Sequence, residues 1–212
     1  MIQSPTKIFK MKTGIMFVLL FNVPLFAFSQ NIDIELLRDI NLHRNTQLDP
    51  TFRFVTNTAS PVSIGAPVFI YGLGLIQKNP DIQRKGLYIV ASAITATILT
   101  TSTKYILKRE RPFVTYPEIQ KETHAGSPSF PSGHTSIAFS TATSLSIAFP
   151  KWYVIVPSYL WASSVAYSRM HLGVHYPSDV LGGMVIGSGS AFLCHKANLW
   201  LQNRNEKASL PD

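Results

Sequence analysis

An all-α helical bundle embedded in a membrane is the fold class that this sequence predicts, and three observations carry it. Five mainly apolar stretches follow one another, at about 61–77, 86–105, 134–149, 152–167 and 180–200, and each approaches the ~20 residues needed to cross a bilayer. No alternating pattern long enough for a strand and no hairpin turn signal interrupts them. No internal repeat divides the 212 residues, a length that suits one domain and one active site.

At the amino terminus, Lys7, Lys10 and Lys12 precede an apolar run over 14–28, followed by Ser29 and Gln30. That order predicts a secretory signal peptide over 1–29, cut after Ser29, or alternatively an uncleaved anchor helix. Either way, residue 31 lies outside the cytoplasm. In the next segment, 30–60, Leu36, Leu37 and Ile40 alternate with Asp33, Glu35, Arg38 and Asp39 at helical spacing. A short amphipathic helix is expected there, lying in the membrane interface or packed on the bundle.

The third and fourth apolar stretches sit at or just below the lower length for a span. They are rich in Ser and Thr, and the mean hydropathy of the chain is barely positive. A soluble helical bundle behind a signal peptide is therefore the alternative architecture. In the last stretch, Gly183 and Gly187 have the spacing that lets a second helix approach closely. A short tail, 200–212, follows it.

The chain carries 19 Lys and Arg against 11 Asp and Glu, a formal net charge of +8. Such a balance suits nucleic acid, an anionic membrane surface or an anionic substrate. No nucleic-acid motif is present and the cations are interspersed with apolar runs, so nucleic acid is set aside as a partner. Cys194 is the only cysteine, which rules out an internal disulfide and a cysteine metal cage. It reads as a small packing residue.

With residue 31 outside, alternating spans place the loops 104–133 and 168–178 outside as well. Whatever the absolute orientation, two loops separated by two spans share a side. The Lys and Arg counts divide almost evenly between the two sides, so orientation rests on the amino-terminal segment.

Three constellations fall in those loops. In KYILKRERP, Lys104 and Arg111 are seven apart, two helical turns, although Pro112 disfavours helix at Arg111 and is expected to end it. In PSFPSGHTSIAF, the Pro131-Ser132-Gly133 break precedes an apolar helical run, so that backbone N–H groups of a helix N-terminus face any anion there, with His134 in the first turn. The plain alternative is a Ser N-cap beside a permissive Gly. In SRMHLGVHYPSD, a carboxylate near a histidine takes the proton of one ring nitrogen and frees the other as nucleophile or base, a role for Asp179 beside His175. Asp179 also suits an N-cap of the last helix. His171 and His175 are four apart like a metal pair, but no third ligand of suitable spacing accompanies them. No metal is expected, and His171, His124 and His195 read as structural.

Taken together, Lys-x6-Arg-Pro, Pro-Ser-Gly-His and Ser-Arg-x5-His-x3-Asp fix eleven positions. In this order they resemble the signatures of the type 2 phosphatidic acid phosphatase family, with no departure at a motif position. The similarity covers about 60–199, giving an expected catalytic domain at 61–199. It implies that Lys104, Arg111 and Arg169 hold the phosphoryl oxygens, assisted by Ser132 and the Gly133 N–H. It further implies that His175 attacks phosphorus, that Asp179 fixes the His175 tautomer, and that His134 protonates the leaving oxygen. Three fixed cations spread the transferring charge as a magnesium ion otherwise would, so no cofactor is expected.

The implied function is metal-independent removal of phosphate from a membrane lipid through a phosphohistidine. The implied place is a bacterial inner membrane with the site facing the periplasm. Candidate substrates from the family are undecaprenyl pyrophosphate, lipid A 1-phosphate, phosphatidylglycerol phosphate and phosphatidic acid. Three alternatives use the same residues differently or not at all: a soluble periplasmic acid phosphatase on small phosphomonoesters, a vanadium haloperoxidase, and an anion pore, which leaves the histidines unexplained.

Overall fold

The computed structural model describes residues 32–208, so the expected signal or anchor segment at 1–29 lies outside the described residues. Among them the regular elements are all helical. Helix α1 spans 32–42 and a 3-10 turn at Thr46–Leu48 leads into α2, Asp49–Asn57. Then come α3, Ala59–Ile76, and α4, Pro80–Leu107. A short α5, Pro112–Thr115, sits in a long loop before α6, Gly133–Ala148. Helices α7, Trp152–His171, and α8, Pro177–Ala208, complete the chain.

The boundaries have local causes. Asn79 caps α4 by accepting the N–H groups of Asp81 and Ile82 at 3.0 and 3.3 Å, and Pro80 opens the helix where its missing N–H is not needed. At the other end Lys108 turns left-handed, with φ 48°, so α4 stops after Leu107, and Arg111 is already extended when Pro112 follows. The sequence expectation that the helix ends before Arg111 is met four residues early. Helices α6, α7 and α8 begin within three residues of the expected positions, and α7 runs on to His171, so its span is longer than its apolar core suggests.

Helix α6 is the axis of the bundle, packed against α3, α4, α7 and α8. Its buried residues are nearly all Ala, Ser and Thr. Small side chains let four neighbours come close, and the hydroxyls bond across the contacts. Thr100 donates to Ser136 at 2.7 Å, Thr141 donates to Ser63 at 2.8 Å, and Thr143 pairs with Tyr159 at 2.9 Å. Because these residues face protein, their polarity says little about the surroundings of the bundle. The outward faces carry exposed Phe69, Leu87, Ile94, Ile98, Leu160, Val185 and Phe192. Two helical runs, Thr46–Ile76 and Pro80–Thr115, are long and apolar enough to cross a membrane by length and composition.

Helix α1 lies on the end of the bundle. Leu37 and Ile34 are buried against Ile119 and Tyr176. Asn41 donates to the carbonyls of Gln120 and His171 and accepts the Gln120 N–H. Of the two expected placements, packing on the bundle describes this apolar face. Below it, Gly173 has φ +68°, and a Cβ there would meet the Gln120 carbonyl at 2.2 Å, so the turn between α7 and α8 needs glycine on both counts.

The Gly183–Gly187 stripe does what its spacing predicts. A Cβ on Gly187 would fall 2.2 Å from the Ser136 carbonyl, whereas one on Gly189 would meet nothing within 4 Å. Gly187→Ala is therefore expected to destabilise by about 1–3 kcal/mol through overpacking, while Gly189→Ala is near neutral. Thermal unfolding of the two variants in detergent checks this, and equal losses at both positions would contradict the packing.

Candidate active site

Four helix termini meet at one end of the bundle: the ends of α4 and α7 and the starts of α6 and α8. The two loops expected to share a side are in contact there. Ser132 N–H donates to the Asp179 carbonyl at 2.9 Å, and Glu122 N–H to the Leu172 carbonyl at 3.1 Å.

The expected phosphate-binding cations cluster at this junction. Lys104, on the last turn of α4, donates its Nζ to the carbonyls of Pro128 and Ser129. Arg111 donates to the Ser127 carbonyl at 2.8 Å and the Val174 carbonyl at 2.7 Å. Arg169, only 2% exposed, donates Nη1 to the Thr56 hydroxyl at 2.6 Å, and its buried Nε has no partner. Among the described residues none of the three forms an ion pair, although each is buried. Burying one charge unpaired is already unfavourable. Three together make a site complementary to a multiply charged anion and repellent to a metal ion.

Ser132 and Gly133 sit at the start of α6. Ser132 holds the N-cap position, yet its side chain makes no capping bond and its Oγ accepts from Thr135 at 2.9 Å. The plain capping reading is therefore not what the hydroxyl does, and the N-terminal turn keeps unsatisfied N–H groups of the kind that bind anions.

His175 is in the turn between α7 and α8 and is 1% exposed. Its Nδ1 lies 3.3 Å from Asp179 Oδ2 and its Nε2 3.3 Å from Arg111 Nη1. A guanidinium only donates, so Nε2 is the unprotonated nitrogen and Nδ1 carries the proton toward the carboxylate. Burial pushes the imidazole down to about 3, with Arg169 and Arg111 adding to the effect and Asp179 opposing it. The ring is thus a neutral base at ordinary pH, its lone pair turned toward the cations. Asp179 sits at the third position of α8 rather than at its N-cap, and Oδ2 reaches back to accept the Tyr176 N–H at 2.9 Å. Capping and orienting His175 therefore fall to the same carboxylate oxygen.

His134, the second residue of α6, lines a cavity of about 320 Å³ with Lys104, Gly133, Ser127, Thr101 and Tyr105. The charges of Lys104, Arg111 and Arg169 all act on it. Thr97 and Ile137 belong both to this cavity and to an apolar one of about 380 Å³ between α3 and α4, walled by Ile64, Val68, Ile94 and Ile98.

Several residues of the site escaped the sequence reading. Arg109 donates to Asp179 Oδ1 at 2.8 Å and to Asp33 Oδ2 at 2.7 Å, and Ser129 donates to Asp179 Oδ2. Thr56 holds Arg169. Arg109 had a local signal, its place two residues before Arg111 in KRERP, but it looked like any cation of a basic helix end. Asp33 and Thr56 had none. His171 is engaged elsewhere, with Nε2 2.8 Å from Asp49 Oδ1, and joins Arg44 in tying α1 and α2 to α7.

A cradle of unpaired cations facing a neutral histidine suits a phosphoryl group, and the bundle that carries it has an apolar surface. The chain matches the PAP2 superfamily over residues 85–203 and belongs to it. It is 32% identical over 174 residues to the undecaprenyl-diphosphatase of Sulfolobus acidocaldarius, covering 81% of this chain and 82% of that one. To the lipid A 4'-phosphatase of Bacteroides thetaiotaomicron it is 27% identical, covering 83% of each. The transmembrane PAP2-type phosphatidylglycerolphosphate phosphatase of Bacillus subtilis superposes with a TM-score of 0.69 at 27% identity, over 86% of this chain and 94% of that one. The resemblance read from the three motifs is thus correct, and the protein is a membrane-bound phosphatase of this superfamily.

An anion that fills the cradle relieves the repulsion within it. Orthovanadate at about 100 times its Kd is expected to stabilise the protein by about 2.7 kcal/mol, several degrees in Tm for a chain of this size. Arg111→Ala should abolish most of the shift. No shift in the wild-type protein would remove the basis for an anion site here.

Proposed function

We propose that the protein hydrolyses a phosphomonoester or pyrophosphate on a membrane lipid through a phosphohistidine intermediate. The observation that carries this reading is the set Lys104, Arg111 and Arg169, buried without carboxylate partners beside the unprotonated Nε2 of His175, which faces Arg111. His175 Nε2 forms the bond to phosphorus while the bond from phosphorus to the leaving oxygen breaks, and His134 supplies that oxygen's proton. Water then attacks the phosphohistidine, giving its proton to His134 and releasing phosphate and a neutral His175. Lys104, Arg111 and Arg169, with Ser132 and the Gly133 N–H, hold the equatorial oxygens. Asp179 keeps the His175 proton on Nδ1 and offsets the positive charge that the ring gains. No step calls for a cofactor.

A lipid leaving group is supported by the apolar cavity between α3 and α4 that adjoins the His134 cavity, the two sharing Thr97 and Ile137 as wall residues. Small phosphomonoesters make no use of that second cavity, and none of the relatives named above is a soluble acid phosphatase or a haloperoxidase. Phosphate release is to be measured in EDTA from undecaprenyl pyrophosphate, lipid A 1-phosphate, phosphatidylglycerol phosphate and phosphatidic acid, each with wild type, His175→Ala and His134→Ala. One lipid is expected to be hydrolysed well ahead of the others. His175→Ala should form no alkali-stable phosphoenzyme, whereas His134→Ala should still form some from p-nitrophenyl phosphate, whose leaving group needs no proton. Label on His175→Ala, or wild-type turnover by His134→Ala, would refute the roles.

Helices α3, α4, α6, α7 and α8 form five spans in this reading, with the site on the periplasmic side of a bacterial inner membrane. The amino-terminal segment supports that orientation. Single cysteines at Thr115 and Tyr176, in a Cys194→Ser background, should react with an impermeant thiol reagent in intact spheroplasts. Labelling only after lysis would reverse the orientation.

A further inference from the structure

Helix α1 lies outside the residues matched to the superfamily, 85–203, yet one of its side chains reaches the nucleophile's carboxylate through a single arginine. We propose that Arg109, anchored by Asp33, is a positioning residue that fixes the plane of the Asp179 carboxylate against His175 and takes no part in holding phosphate. The inference rests on His175 being the nucleophile.

The geometry separates Arg109 from the other cations of the site. Lys104, Arg111 and Arg169 have carbonyls and hydroxyls as partners and no carboxylate. Arg109 has two carboxylates, one on each terminal nitrogen. Nη1 donates to Asp179 Oδ1 at 2.8 Å and to the Ser178 hydroxyl at 2.6 Å, and Nη2 donates to Asp33 Oδ2 at 2.7 Å. Its guanidinium also lies 4.0 Å from the centroid of the Tyr176 ring. Asp33 is itself fixed, accepting the Ser178 N–H at 2.8 Å and the Ser178 hydroxyl. Asp33, Arg109 and Ser178 therefore close a ring of hydrogen bonds that meets Asp179 at Oδ1, the oxygen that His175 does not contact.

The ring has a mechanical consequence. On Oδ2, Asp179 receives His175, the Tyr176 N–H and Ser129 together. Contacts to one oxygen leave the carboxylate free to pivot about it. Arg109 is the donor on Oδ1, and a second point of attachment sets the plane. With its charge matched by two carboxylates, Arg109 adds little attraction for an incoming phosphate. Asp33 holds the guanidinium in register from α1, so an N-terminal helix outside the matched region sets the orientation of the nucleophile.

The test uses the full-length protein in detergent, with p-nitrophenyl phosphate as substrate and orthovanadate as the phosphate probe. Arg109→Ala is expected to lower kcat by about 10–100-fold, the range seen when the partner of an orienting group is removed, with KM and the vanadate Ki changed less than about 3-fold. Arg111→Ala, in contrast, should raise the vanadate Ki strongly. Arg109→Lys should recover part of kcat, because one ammonium can reach one carboxylate but not bridge two. Asp33→Asn should give a smaller loss of the same kind, and it supplies the reading should Arg109→Ala fail to fold. In an Asp179→Asn background, Arg109→Ala should lower kcat by less than about 3-fold more, since both changes disable one device. A vanadate Ki that rises as much as in Arg111→Ala would make Arg109 a phosphate ligand and overturn the proposal. So would losses in kcat that multiply in the double variant. An active His175→Ala would instead defeat the functional reading beneath it.

Discussion

Burying Lys104, Arg111 and Arg169 together, with carbonyls and a hydroxyl in place of counter-ions, is unfavourable for the folded chain, and the surrounding elements are arranged around that repulsion. Losing a partner from one buried ion pair costs about 3–5 kcal/mol, so three unpaired cations need support from many directions. The loop backbone of 127–129 turns its carbonyls toward Lys104 and Arg111. The turn after α7 offers the Val174 carbonyl, and α2 offers Thr56. The neighbouring loop 116–122 is itself clamped, by Arg38 to Glu118, Arg53 to Glu122 and Asn41 to Gln120. An anion bound there would complete the arrangement electrostatically, so the scaffold and the proposed chemistry rest on the same residues.

The same end of the bundle shows how one residue serves folding and chemistry at once. Asp179 accepts the Tyr176 N–H and so starts α8, while its other contacts orient His175 and bind Arg109. Its own carbonyl accepts the Ser132 N–H, locking the start of α6 against the start of α8. Beneath that junction Gly183 and Gly187 let the two helices touch. The distance between the Pro-Ser-Gly-His segment and His175 is thus set by backbone contacts, a firmer constraint than long side chains provide.

Much of this was legible in the sequence, for reasons that differ from residue to residue. The motif positions Lys104, Arg111, Ser132, Gly133, His134, Arg169, His175 and Asp179 stand at fixed spacings, and the structure brings them to one junction. Helix positions followed from apolar runs and from Pro112, whereas the start of α4 at Pro80, capped by Asn79, lies six residues before the apolar stretch that announced it. What stayed hidden depends on contacts between distant segments: Asp33 meets Arg109 across 76 positions and Thr56 meets Arg169 across 113, and no local period records such pairs. Hydropathy understated the bundle for a related reason. Helix α6 is polar because it is surrounded by α3, α4, α7 and α8, so its serines and threonines report the company of other helices and not of water.

The central claim is that one anion sits between the three cations and the Nε2 of His175, and a structure with orthovanadate bound tests it most directly. The account predicts vanadium within bonding distance of His175 Nε2, with Lys104, Arg111 and Arg169 all donating to the vanadate oxygens and His134 facing the opposite apex. Vanadate seated away from His175, or held by Arg109 in place of Arg169, would contradict it.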